Sequence, residues 1–152
     1  MLTTSEIRTL IDNDSSSERK RFARKGQAYY DGDHDIKKYR LFYYNSDGKL
    51  VEDKNRANVK IPHPFFTELV DQAVQYILSG GDRFVKTNDP ALQARLDEYF
   101  NNNESFVAEL SETLTGCMAK GFEYMFAFKN SEDKLSFMCA DSIGVIEVRD
   151  KD

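Results

Sequence analysis

His34, His63, Cys117 and Cys139 are the residues best suited to ligate a transition metal or to pair a thiolate with a base. Their spacing supports neither use. No two of them stand in a Cys-x2-Cys or His-x3-His relation, and no helix start or basic cluster sits beside either thiol to lower its pKa. The expectation is no catalytic residue, no metal ligand and no cofactor site. His63, held between Pro62 and Pro64, reads as structural, and the two cysteines read as small core residues, too few for a disulfide framework. Asp31-Gly32-Asp33-His34-Asp35 alternates carboxylates as a calcium loop does. An EF-hand needs Gly at its sixth position and Glu at its twelfth, where this chain has Ile36 and Phe42, so a solvated turn is expected. Neither Gly80-Gly81 nor Lys25-Gly26 has the spacing of a phosphate-binding loop, and ATP hydrolysis is not supported.

The densest positive run is Arg19-Lys20-Arg21-Phe22-Ala23-Arg24-Lys25, on a segment with helical spacing in which Arg21, Arg24 and Lys25 share a face. Such a face meets phosphates or an acidic neighbour. Arg19, Lys20, Arg21, Arg24 and Lys25 are therefore the candidate DNA or subunit contacts, set against the plainer reading of a solvated helix face.

The chain has 152 residues, enough for a single domain with a core, and 31% of them are charged. Mean hydropathy is -0.62, the apolar runs are too short to cross a bilayer, and no apolar signal-peptide core follows Met1. A cytoplasm-like compartment and no membrane partner are expected, with Met1 as the natural start. The net charge of -5 divides unevenly. Residues 1–60 carry 13 Lys and Arg against 10 Asp and Glu, whereas residues 61–152 carry 8 against 16. An acidic majority argues against a general nucleic-acid binder, which attaches by neutralising phosphates.

Thr3-Thr4-Ser5-Glu6 and Ser15-Ser16-Ser17-Glu18 fit the capping-box pattern and predict a short helix to about Ile11 and another from Glu18 to about Tyr30. Arg40 to Tyr44 and Lys49 to Glu52 flank Asn45-Ser46-Asp47-Gly48, a hairpin signature, and Asp53 to Asn58 reads as a charged loop. Pro64 opens a central amphipathic helix carrying Phe65, Phe66, Leu69, Val70, Ala73, Val74, Ile77 and Leu78, with Gly80-Gly81 as its stop. Arg83 to Lys86 reads as a short extended piece. Asp89-Pro90 starts a helix with Leu92, Leu96, Tyr99 and Phe100 inward, and Asn101-Asn102-Asn103 breaks it. The next helix has the stripe Phe106, Val107, Leu110, Leu114, Cys117 and Met118 and ends at Gly121. The period then falls to two over Phe122 to Phe128, Leu135 to Cys139 and Ile143 to Val148, predicting a three-stranded meander with one aromatic face. The fold class expected is α+β in one domain, 1–152, with the amphipathic helices on a small antiparallel sheet. No closing helix follows, so a strand edge and a sheet face need a partner.

Taken in order, Tyr29 to Ile36, Asn55 to Phe66, Leu69-Val70-Asp71-Gln72, Tyr76-Ile77-Leu78-Ser79-Gly80 and Gly121-Phe122-Glu123-Tyr124 resemble the N-terminal half of tailed-phage portal proteins. The series carries the resemblance, since each motif alone is a packing pattern. It implies a structural, non-enzymatic subunit of a ring, usually of twelve copies, at one capsid vertex of the virion, made in the bacterial host cytoplasm. It further implies that double-stranded DNA passes through the ring during packaging, retention and ejection, with capsid and scaffolding proteins, terminase and the head-tail connector as partners. The chain resembles mainly the wing of that plan and lacks its stem and clip, as a piece of a longer portal or a prophage remnant would. Two readings stand beside it. A small nucleic-acid-binding or adaptor module would use the basic helix and exposed rings at Phe122, Tyr124, Phe126 and Phe128. A cysteine hydrolase would need Cys117 or Cys139 beside His63 in an open cleft.

Overall fold

Capping chemistry sets where the helices begin in the computed structural model, which describes residues 3–80 and 84–148. The Thr3 hydroxyl accepts from the Glu6 N–H while the Glu6 carboxylate accepts from the Thr3 N–H at 2.7 Å, the reciprocal box expected of this sequence. Helix α1 runs Thr4–Ser15, four residues past the predicted end at Ile11. Helix α2 spans Glu18–Tyr30 and is capped by Ser17, not Ser15, so its start lacks a reciprocal carboxylate. At its far end Gly32 adopts φ 77°, its N–H donates to the Tyr29 carbonyl at 3.1 Å, and the Asp33 N–H donates to the Ala28 carbonyl at 2.7 Å. This is a Schellman stop, and the carboxylates that resemble a calcium loop belong to it.

A 3₁₀ turn at Asp35–Lys38 leads to strands β1 (Phe42–Tyr44) and β2 (Leu50–Glu52), antiparallel with Tyr43 opposite Val51. The Asn45 side-chain oxygen accepts from the N–H groups of Asp47 and Lys49 at 3.0 and 2.9 Å, and Gly48 supplies φ 72°. Helix α3 covers Phe65–Leu78 and begins directly after Pro64. Its predicted stop is half described, because Gly81 lies outside the described residues, as does Arg83 of the expected extended piece. Phe84 and Val85 instead bend, both N–H groups donating to the Asn101 side-chain oxygen at 2.6 and 3.1 Å. Asp89 caps α4 (Pro90–Leu96), which continues as a π turn over Asp97–Asn101. Helix α5 (Glu104–Lys120) lies between the Asn103 cap and Gly121 at φ 87°. Strands β3 (Tyr124–Lys129) and β4 (Leu135–Ala140) repeat the hairpin device, with Asn130 as the acceptor and Asp133 at φ 59° in place of the glycine.

Helix α5 is the hub, packing on α2, α3 and β4. The α2–α5 approach is close because Gly26 lacks a side chain; a Cβ there would stand 2.0 Å from the Ala119 carbonyl oxygen. The core is small: Ala23, Val70, Val74, Phe106 and Ala119 are its buried apolar members. Around Phe106 sit Phe84, Phe100 and Phe137, with centroid distances of 6.4, 5.0 and 4.9 Å. The class is α+β, as expected, but with two separate two-stranded hairpins.

The expectations for the last strand and for two helix positions are overturned, and the direction of the aromatic face, left open by the sequence, is decided. Ile143 to Val148 is not a strand, because the Cys139 N–H of β4 donates to the Glu109 carboxylate at 2.5 Å and the following turn engages its backbone elsewhere. Leu92 and Met118 point outward, at 46% and 45% exposure. In their places Gln93 is buried, bonded to the Thr87 N–H, the Val85 carbonyl and Asp97, and Gly116 and Ala119 line the inner face of α5. The aromatic face of β3 is its outer one: Phe126 and Phe128 are exposed and stacked on each other at 6.1 Å, while Phe137 turns to α5.

Replacing Gly26 by Ala should force α2 and α5 apart and cost about 1–3 kcal/mol, the usual range for overpacking. A chemical-denaturation midpoint equal to that of the unsubstituted chain would remove this account of the α2–α5 contact.

Candidate functional site

The basic run of α2 divides according to how each residue projects. Lys20 is in line with Ala23 on the inward face and is 2% exposed. Its ammonium donates to the carbonyls of Ser142 (2.5 Å), Ile143 (3.1 Å) and Val145 (2.5 Å) and pairs with the Asp14 carboxylate at 3.1 Å. Lys20 is thereby withdrawn from any DNA-facing surface, contrary to its selection from the sequence. The signal that could have found it is the small-residue spacing Ala23 and Gly26, which marks the close-packed side of the helix and puts Lys20 on it.

Arg19 and Arg24 are also engaged. The Arg19 guanidinium lies 3.7 Å over the Phe122 ring and pairs with Glu147 at 3.2 Å, and Glu147 also accepts from the Tyr124 hydroxyl. Burial, and then that hydrogen bond, hold the Tyr124 pKa above its ordinary value. Arg24 donates to the Ser15 carbonyl at 2.8 Å and ties down the α1–α2 turn. Arg21 and Lys25 are the outward pair, their side chains 72% and 59% exposed, with partners Glu18 at 3.3 Å and Asp35 at 3.2 Å. Between them Phe22 is 58% exposed and borders a shallow apolar cleft of about 260 Å³ with Lys25, Gly26, Tyr29 and Phe66. The outward face of α2 thus combines exposed cations with an uncovered ring.

A second buried charge cluster holds the other side of the same turn. Glu123, its side chain 2% exposed, pairs with Lys120 and accepts the Ser142 N–H, and a Cβ on Gly116 would lie 2.0 Å from its carboxylate. Lys120 also binds Asp141 at 2.7 Å. Burial pulls the Lys120 pKa down, but Asp141 and Glu123 outweigh it and hold the pKa above the ordinary lysine value. The Lys120 bond in turn keeps the Asp141 carboxyl below the ordinary carboxylate range.

The residues with chemical potential do not converge. Cys139 opens onto a cavity of about 390 Å³ lined also by Tyr30, Thr115, Lys120, Glu123 and Asp141, with no histidine among the lining residues. Burial pushes its thiol pKa up, the opposite of an activated nucleophile. Cys117 and Cys139 are half-buried rather than core. His63 stacks on Phe65 at 5.0 Å, and His34 stacks on Tyr29 at 5.1 Å. Among the described residues no group of three or more His, Cys, Asp or Glu is placed to hold a metal, and no helix is long and apolar enough to cross a membrane.

What the surface does offer is uncovered apolar area, of which the sequence reading anticipated only the sheet face of the second hairpin. Phe65, Leu69 and Tyr76 are 63%, 65% and 81% exposed, and their spacing lines them along one side of α3. In the first hairpin Phe42, Tyr43, Tyr44, Leu50 and Val51 are all exposed. On the second hairpin, Phe126, Phe128 and Met138 are exposed.

The family described as phage portal protein, SPP1 Gp6-like, matches residues 10–152. The portal protein of Bacillus phage SPP1 is 30% identical over 116 residues, which are 75% of this chain and 22% of that protein. The chain thus spans about a fifth of the length of that relative.

Two outcomes follow from the charge clusters. Lys20→Met leaves three carbonyls and the part-exposed Asp14 carboxylate without this donor, and should cost about 1–3 kcal/mol, the penalty for buried polar groups left unsatisfied. Hydrogen exchange should at the same time accelerate across residues 141–148, and unchanged protection there would sink the assignment. Because the folded Asp141 pKa is lowered, its contribution is present above the unfolded carboxylate value near about 4 and fades as pH falls through the folded one. Asp141→Asn should therefore flatten the acid limb of a stability-against-pH curve while lowering stability at neutral pH.

Proposed function

The chain belongs to the SPP1 Gp6-like phage portal family, and from that premise we propose that it is the wing part of a subunit of the portal ring at the capsid vertex, serving DNA packaging, retention and ejection. The observation that carries this reading is surface. Accessible area is 11738 Å² for 17.5 kDa, against about 7900 Å² expected of a monomeric protein of that mass. Large apolar side chains are exposed on separate faces, among them Leu69 and Tyr76 on α3, Tyr44 and Leu50 on the first hairpin and Phe126 on the second, as in a subunit whose neighbours complete it. A ring subunit of this kind works by assembly and electrostatics rather than by making bonds. The acidic majority disfavours lateral adhesion of DNA, and a few outward cations steady either the duplex or an adjacent subunit.

Arg21 and Lys25 are the members of the basic run that fit that role, being outward and held by exposed, weak ion pairs and by the neighbouring Phe22 and Tyr29 rings. Capsid and scaffolding proteins, terminase and the head-tail connector are the partners proposed for the whole portal, which is made in the host cytoplasm and resides in the virion. The alternative of a nucleic-acid-binding or adaptor module draws on the stacked, exposed Phe126 and Phe128. Against it, the adjoining turn pairs Lys129 with Asp133 and Lys134 with Glu132, leaving no net positive charge to meet phosphates.

Reversing both outward cations, Arg21→Glu with Lys25→Glu, in the full-length portal should reduce DNA retained per capsid or the yield of rings, without a change in thermal stability. Arg24 is left in place because it holds the α1–α2 turn. Capsids that fill and hold DNA normally with both charges reversed would remove these residues from the contact.

A further inference from the structure

We draw no further inference here: the strongest candidate, the exposed apolar stripe of Phe65, Leu69 and Tyr76 along α3, is an unpartnered helix face, and nothing in the structure shows what covers it.

Discussion

The Lys20 ammonium, enclosed by three carbonyls and the Asp14 carboxylate, is the constraint on which the rest of the chain's arrangement depends. It joins the α1–α2 pair to the turn that follows β4, elements separated by more than a hundred residues in sequence. A buried ammonium is tolerated only when its donors are satisfied, and here four oxygens surround it. From the opposite side Glu123 accepts the Ser142 N–H and Lys120 takes the Asp141 carboxylate. One turn is thus gripped by charges from α2 and from the end of α5. Ser142 lies fully buried inside that grip, and its hydroxyl is the one buried side-chain polar atom among the described residues left without a partner.

That grip explains how a chain with so small an apolar core keeps a defined shape. Ala23, Gly26, Gly116 and Ala119 let backbones approach closely, which favours directional polar bonds at short range over bulky packing. The large rings are therefore divided: Phe84, Phe100, Phe106 and Phe137 form one compact aromatic cluster, and the remainder, including Phe65, Phe126 and Tyr76, face outward. Had those outward rings been needed for folding, the helices would have rotated to bury them. Their exposure leaves large apolar surface outside the packed interior, on α3 and on both hairpins.

Features set by neighbours in sequence were legible before the fold was seen. The Thr3 box, the Asp89-Pro90 and Asn103 starts, the Gly121 stop and the Asn45 turn each depend on chemistry within a few residues, and each stands where the pattern placed it. Features set by distant partners were not. Ile143 to Val148 alternates like a strand, but the slot a third strand would fill is closed by Glu109 on the β4 backbone and by the charges on the turn, which periodicity does not register. Helical spacing put Arg21, Arg24 and Lys25 of α2 on a shared face, but charge alone did not say which side of the helix faces the core. Small residues at positions 23 and 26 gave the direction, and with it the split between the inward Lys20 and the outward Arg21 and Lys25.

This split bears on how much of the basic run can act beyond its own chain. A cation whose partners are buried oxygens of its own chain is neutralised locally and contributes little field at a distance, so Lys20, and in part Arg19 and Arg24, subtract from the basic character counted in residues 1–60. The positive charge left to act outside comes from the outward Arg21 and Lys25 and from residues 36–60, which hold seven Lys and Arg against three Asp and Glu.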